Sequence, residues 1–337
     1  MNDTTLPRAE LTPDFSVVIP SRNRPSLVRA AVESVLRQTH RSREIIVVND
    51  GSDPQHSSVY EALQTLGQGE IRLIELQRTI NGHGPSYAIN RGVEAAQGRF
   101  VCFLDDDDSW TDEQHLARIA SAVAGRPSVD LYFCCQAAFK GEQLVTDELW
   151  LNGLKRQLDS ARTARPGGEY AVGVADLLRC PTFAHLNTMV VRKPLYAEAG
   201  GMDESIRYEC EWDLYFRLIE HAQDILYFPG TVARHNVPDP TQRTNASTVV
   251  PDLHKLLLRI RVMDKALLLS DSAPIRGRAG EVKSTSLKHI ATMLAGAGKW
   301  QQSLRYASEA LIPGFNAKWF AYWCYLAARA TFSRNQR

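Results

Sequence analysis

Up to about residue 245 the apolar residues come in short blocks separated by polar, turn-forming clusters; beyond that point they recur in longer helical stretches. Phe15 to Pro20 is a compact apolar run closed by a proline and predicts a buried strand. Pro25 and Ser26 then open a helix in which Leu27, Val28, Ala31, Val32, Val35 and Leu36 recur every three to four residues. The same reading gives strands over 45–48, 71–76 and 100–104, and helices over 59–66 and 85–96. Strands and helices alternate at βαβ spacing, so the expected fold is α/β, Rossmann-like, a mainly parallel sheet with helices on both faces. Ligands of such sheets bind beyond the carboxyl ends of the strands. The polar clusters 21–24, 49–53, 81–84 and 105–108 all fall there.

Farther on, 140–180 loses periodicity and gathers Gly, Arg and Pro, as a variable lobe would. Residues 187–191 predict a strand and 211–221 a helix with Leu214, Leu218 and Ile219 inward. From 250 the chain predicts a C-terminal all-helical appendage, in which 286–313 resembles one tetratricopeptide-like hairpin. The expected organisation is a polar lead over 1–14, an α/β domain over 15–249 with halves 15–125 and 126–249, and a basic helical region over 250–337. On that boundary, a chain cut near Val250 keeps its sheet.

With 44% hydrophobic and 23% charged residues, the composition is that of a globular protein, not of a disordered or fibrous one. Trp319 to Phe332, the longest apolar stretch, is interrupted by Arg329 and falls short of the roughly 18 to 20 residues a membrane span needs. Met1 to Phe15 has no apolar core of a signal peptide, so the expected location is the cytoplasm, possible inner-face membrane contact aside. The cysteines have no CxxC spacing and suit reduced core thiols, and the sequons at Asn2 and Asn245 read as chance matches. The near-zero net charge conceals a division: residues 251–337 hold 14 Lys and Arg against 5 Asp and Glu, leaving 25 against 33 for residues 1–250.

The sharpest chemical signal is Asp105-Asp106-Asp107-Asp108 at the end of an apolar strand. Four adjacent carboxylates repel one another, and a folded chain needs a cation there; Mg²⁺ and Mn²⁺ prefer such oxygens. A solvated acidic loop is the bland alternative. A prenyl-diphosphate motif fails on spacing, because it would need an acid at Ser109.

Val17 to Arg24, Ile46 to Ser52, Asn81-Gly82 with Ala88 to Gly92, and Phe103 to Asp108 together resemble, in order, the blocks of glycosyltransferase family 2, inverting enzymes of the GT-A fold that use nucleotide sugars. The resemblance implies that Pro20, Arg22 and Asn81 contact the nucleotide, that Asp50 recognises the base and that Asp105 touches the ribose. Asp107 would hold the metal, Mn²⁺ or Mg²⁺, and Asp108 would lie beside the donor sugar. Asn49 and Ile89 depart from the family's usual aspartate and arginine. Gly200 to Glu204 and Tyr208 to Leu214 resemble the family's GGFDE and EDWDL blocks, which places the general base at Glu211, with Asp213 the other candidate. His185 and Asn187, with Thr188, would face the acceptor, and His235 could reach the metal or diphosphate.

This implies an inverting transfer from a UDP- or dTDP-type sugar to a saccharide or lipid-linked saccharide, in bacterial surface polysaccharide or glycoconjugate synthesis. The alternative is a catalytically weak nucleotide-sugar-binding scaffold or regulator. A hydrolase leaves the motifs at 20, 50 and 81 unexplained, and a pyrophosphorylase should show a glycine-rich loop where Ser21 to Arg24 stand. No nucleic-acid partner is expected. The aromatic, basic segment 318–326 suits either peripheral membrane contact through 251–337, or packing within the appendage or a homodimer.

Overall fold

The computed structural model describes residues 12–67, 69–239, 241, 245–312 and 316–334. Ten strands form one sheet: β1 (Phe15–Ser21), β2 (Arg43–Asn49), β3 (Ile71–Glu75), β4 (Phe100–Phe103), β5 (Ser109–Trp110), β6 (Leu131–Lys140), β7 (Gln143–Leu149), β8 (Tyr170–Val172), β9 (Met189–Arg192) and β10 (Ile225–Asn236). Their order is β3-β2-β1-β4-β9-β6-β10-β5, with β7 beside β6 and β8 beside β10. The quartet β3-β2-β1-β4 is all parallel, as the βαβ spacing predicts. Beyond β4 the sheet is mixed, because β9 enters antiparallel between β4 and β6 while β10 runs parallel to β6. Chain from the 140–180 lobe reaches β9 from the opposite end, which turns this strand around. Asn187 and Thr188, expected in that strand, form a 3₁₀ turn (Leu186–Thr188) just before it.

Residue alternation sorts the core into two layers. Val17, Ile19, Ile45, Val47 and Cys102 face one side, against Val28, Val32 and Val35 of helix Pro25–Leu36 and Leu116 and Ile119 of helix His115–Ala124. Val18, Ile46, Val48, Val101 and Phe103 face the other, against Ala88, Ile89 and Val93 of helix Pro85–Ala95 and Leu214 and Leu218 of helix Cys210–His221. Gly92 lets the helix Pro85–Ala95 close on the sheet: a Cβ there would stand 2.4 Å from Val18 Cγ1.

The C-terminal region is helical, in Asp252–Leu269, Ala273–Gly296, Trp300–Glu309 and Ala317–Arg334. Its first half is not an appendage in the packing sense. Val262, Met263, Ile275 and Ala279 are fully buried in the same core layer as Phe103 and Leu214. Lys265 Nζ pairs with Asp203 at 2.6 Å and Asp213 at 2.9 Å, and Arg259 Nη2 pairs with Glu209 at 2.7 Å. This packing speaks against the expectation that the sheet stands without residues past 250, since those residues cover apolar surface and pair with buried acids.

The last two helices close a separate small cluster of Ala291, Ala295, Ala307 and Leu326 ringed by Trp300, Trp319, Tyr322 and Trp323. Trp319 Nε1 donates to Ala307 O at 3.1 Å and Trp323 Nε1 to Ser308 Oγ at 2.8 Å, which favours the packing reading of these aromatics. Among the described residues no helix is long and apolar enough to cross a membrane.

A chain ending before Asp252 should be insoluble or should melt without cooperativity, since it bares the surface under Met263 and leaves Glu209 and Asp213 buried without Arg259 and Lys265. In the full chain Met263→Ala should cost about 2 to 5 kcal/mol in denaturant unfolding. A soluble, cooperatively melting truncation would restore the independent-domain reading.

Candidate active site

The parallel strands deliver their polar ends to one rim. Just beyond β2, buried Asp50 accepts N–H bonds from His83 at 2.8 Å and Gly84 at 2.9 Å and lies 2.8 Å from His83 Nδ1. Arg22, just beyond β1, donates to the carbonyls of Thr79 at 2.9 Å and Ile80 at 3.0 Å. Gly82, at φ +63, is needed where these meet, because a Cβ would stand 2.5 Å from Asp50 Oδ2 and 2.7 Å from Arg22 Nη1. Arg22, Asp50 and the exposed Asn81 thus gather around one loop, Pro20 stands two residues before Arg22 in β1, and Arg207 reaches the carbonyls of Asn81 and Gly82 from the other half of the domain. Both family departures have local reasons. Asn49 Nδ2 donates to Glu75 Oε2 at 2.7 Å, where an aspartate would set two carboxylates together, and Ile89 is buried in the core.

At the end of β4 the four aspartates part. Asp106 is buried and accepts from Ser21 Oγ at 2.7 Å and Arg24 Nη1 at 2.9 Å; burial raises its pKa to about 6, Arg24 opposing and Asp107 adding to the rise. Asp107 accepts from Asn245 Nδ2 at 2.8 Å and Arg24 Nη1 at 3.3 Å. Asp108 is buried too and takes Asn187 Nδ2 at 2.6 Å, His235 Nδ1 at 2.8 Å and the Asn236 N–H at 2.7 Å. Expected beside the donor sugar, it is instead turned into the protein with three donors on it. Asp105 stays half-exposed; burial of its surroundings, then the carboxylates of Glu211 and its own neighbours, hold its pKa well above the usual range.

Glu211 faces this cluster from the first turn of helix Cys210–His221, where the helix dipole favours an acid. Burial pushes its pKa up to about 7, with Asp108 adding to the rise and His235 opposing it. His185 Nε2 lies 3.2 Å from Glu211 Oε1 and 3.6 Å from Asp105 Oδ2. Burial and neighbouring His235 lower its own pKa to about 4. His235 shifts the other way: burial opposes its charge, but Asp108 outweighs burial and raises it.

Two expectations are corrected here. Asp213 is buried on another face of the helix, where Arg217 lies 2.5 Å and Lys265 2.9 Å away, so it anchors the C-terminal region and does not face the acids. Asn187 is not open to an acceptor. Buried, it donates to Asp108, accepts the Asp105 N–H at 2.8 Å and gives its carbonyl to Trp110 Nε1 at 3.0 Å; buried Thr188 turns its hydroxyl back to His185 O.

Arg24, Asp106, Asn245 and Trp150 belong to the site although the sequence reading assigned them no role there. Arg24 and Asp106 lay inside quoted motifs, and Asn245 looked like a chance sequon. Trp150 stacks on His185, 4.3 Å between ring centroids, from a backbone at φ 55 followed by Leu151 at φ 32. Such φ values cost a bulky residue on the order of 1 to 3 kcal/mol and persist only where the surroundings fix them. No periodic pattern marks it.

One oxygen each of Asp105, Asp107 and Asp108 lie within 4.8 Å of one another, as do ligand atoms of Asp105, His185 and Glu211. The first set is all oxygen and suits Mg²⁺ or Mn²⁺. His235 is in neither set, although a carboxylate on Nδ1 is how many metal-bound imidazoles are held.

A parallel quartet with polar loops at its rim, an acid cluster ending the fourth strand and a mixed extension carrying a further acid define an α/β protein of the GT-A class. Residues 16–168 match the model of glycosyl transferase family 2. It is 25% identical over 241 residues to an uncharacterized glycosyltransferase of Rickettsia prowazekii (strain Madrid E), covering 70% of this chain and 67% of that one. It is 26% identical over 204 residues to the amylovoran biosynthesis glycosyltransferase AmsB of Erwinia amylovora, covering 60% and 63%. Over 96 residues it is 36% identical to the GalNAc(5)-diNAcBac-PP-undecaprenol beta-1,3-glucosyltransferase of Campylobacter jejuni, covering 28% of this chain and 30% of the relative. Among solved structures, S. aureus TarS 1-349 in complex with UDP-GlcNAc superposes with a TM-score of 0.61 at 14% identity, covering 94% of this chain and 88% of that one. The mannosyltransferase PcManGT of Pyrobaculum calidifontis, in complex with GDP-Man and Mn²⁺, gives 0.57 at 16% identity over 96% and 87%.

Glu211 and Asp106 have pKa values raised above 4.5 and 3.8 to about 7 and 6. At these two groups the folded chain binds more protons than the unfolded chain between those limits, so their contribution falls as pH rises towards 7. Buried His115 and His185, lowered to about 3 and about 4, act the other way up to about pH 6.5, so without divalent ion the melting temperature should drop from about pH 6.5 to about pH 7.5, and Mn²⁺ should raise it more at the upper pH. A metal-free melting temperature that rises across this window would remove the argument.

Proposed function

We propose that this chain is a metal-dependent inverting glycosyltransferase that moves a sugar from a UDP- or dTDP-type nucleotide to a hydroxyl of a saccharide or lipid-linked saccharide. The observation carrying this is Glu211 brought to the Asp105 carboxylate, with His185 Nε2 3.2 Å from the one and 3.6 Å from the other, at the end of a strand parallel to those whose ends carry Arg22 and Asp50. A hydrolase needs no such polar loops at the neighbouring strand ends. The relatives named for amylovoran synthesis and for an undecaprenol-linked saccharide support an acceptor of that kind, and the UDP-GlcNAc complex of TarS supports the donor class.

In this reading the rim loop binds the base. Asp50 has about four acceptor sites and three N–H donors on it, leaving room for one N–H of the base. Asp105 approaches the ribose, and Asp107, with its neighbours' oxygens, would hold Mn²⁺ or Mg²⁺. Such an ion, when bound, neutralises charge developing on a departing diphosphate. Glu211 takes the proton from the acceptor hydroxyl as its oxygen bonds to the anomeric carbon. The bond from that carbon to the diphosphate breaks, and its electron pair leaves with the diphosphate. Attack from the face opposite the leaving group inverts configuration, so an α-linked donor gives a β-linked product.

The test begins by screening nucleotide sugars with Mn²⁺ for thermal stabilisation, then measures turnover on the best donor. Glu211→Gln should lower turnover roughly 10²- to 10⁴-fold with donor affinity kept. Asp107→Asn should abolish the gain from Mn²⁺. Asp213→Asn should reduce stability instead of chemistry. Because only ionised Glu211 accepts a proton, kcat/KM should climb as pH rises through about 7 and level off above. If no nucleotide sugar stabilises the protein or turns over, the proposal fails.

A further inference from the structure

His185 is buried and its tautomer is fixed. It starts the turn Leu186–Thr188 by accepting the Asn187 N–H on Nδ1 at 3.3 Å. A neutral imidazole that accepts at one nitrogen carries its proton on the other. The donor is then Nε2, the atom 3.2 Å from Glu211 Oε1. The ring is clamped: the Trp150 indole lies nearly parallel on it, 24° between planes, and presents its edge to His235 at 5.2 Å.

Among the described residues, the other groups facing Glu211 are Asp105 and Asp108 after β4, His235 on β10, and Tyr208, Glu209 and Cys210 in its own turn. The three acids repel it. His235 has given Nδ1 to Asp108, and Glu209 is taken by Arg259. Resting on the transferase reading, the geometry points to His185 as a positioning residue: its Nε2–H donates to the Glu211 carboxylate and fixes the rotamer from which that carboxylate takes the acceptor proton. An acceptor-binding role, expected from sequence, would need this nitrogen free.

Two amide variants separate the roles, because His185→Gln carries an N–H to the place of Nε2 while His185→Asn reaches only that of Nδ1. Turnover would be followed as UDP release from UDP-GlcNAc, or from the nucleotide sugar that best stabilises the protein, with Mn²⁺ present. His185→Asn should lower kcat about 10- to 100-fold with donor KM unchanged, since a misplaced group costs rate and not binding. His185→Gln should recover most of that loss. In a Glu211→Gln background the Asn change should cost nothing further, as coupled residues require. Equal kcat in the Asn and Gln variants, or an undiminished extra loss in the Glu211→Gln background, overturns the assignment. So does weaker Mn²⁺ binding by titration calorimetry in either variant, which would make His185 a ligand. If the Asn variant fails to fold, the Gln variant decides alone: it must keep kcat within several-fold of wild type. An inactive wild type overturns the transferase reading and this one together, whereas an active wild type with a dead Glu211→Gln and indifferent His185 variants overturns this one only.

Discussion

Repulsion among the carboxylates that end β4 is the constraint to which the rest of the structure answers. Two unit charges 4 Å apart cost about 4 kcal/mol at an effective dielectric near 20, and Asp105 to Asp108 are joined by Glu211 across the cleft. Three of these acids are satisfied by elements distant in sequence: Asp106 by Ser21 and Arg24, Asp107 by Arg24 and Asn245, Asp108 by Asn187, His235 and Asn236. The mixed half of the sheet exists, in this sense, to deliver donors. The segment before β9 brings His185 and Asn187, and the end of β10 brings His235 and Asn236. Asp105 and Glu211 are left with raised pKa values and little compensation from the chain itself.

The division of charge along the sequence has the same origin on the opposite side of the Glu211 helix. Asp203, Glu209 and Asp213 are acids of the α/β part, and their partners Lys265 and Arg259 come from the basic helices. The excess of cations past residue 250 is thus partly spent on holding the Glu211 helix in place. Its remaining aromatics fill a small helical cluster of their own. A basic region that looked like an addition is structurally part of what holds the Glu211 helix in place.

What could be read from sequence was what lies close together in it. Strand ends, turn clusters and the aspartate run are local, and periodicity places them at one rim before any coordinates are known. Donors that arrive from afar leave no such trace: Asn245 lies 138 positions from Asp107, and Trp150 is fixed by its strained backbone and its stack on His185. The choice between Glu211 and Asp213 was open because both stand in one motif. Helix geometry settles which faces the cluster, since two positions on a helix are about 200° apart, and Lys265 claims the second.

The two histidines show how position, more than residue type, assigns roles here. Their rings are 5.8 Å apart and both are largely enclosed, yet their pKa values move in opposite directions. His235 bonds directly to Asp108 and is drawn towards protonation beside a buried acid. His185 gives one nitrogen to a backbone N–H, and burial beside His235 disfavours its charge, so it offers a directed proton without adding charge to the cluster. The positive partners at hand, Arg24 and His235, are fewer than the five carboxyl groups of Asp105 to Asp108 and Glu211. A second charged histidine would narrow that deficit and compete with a divalent ion for the same oxygens; a neutral one leaves the deficit open, and an excess of negative charge at oxygen ligands is what such an ion requires.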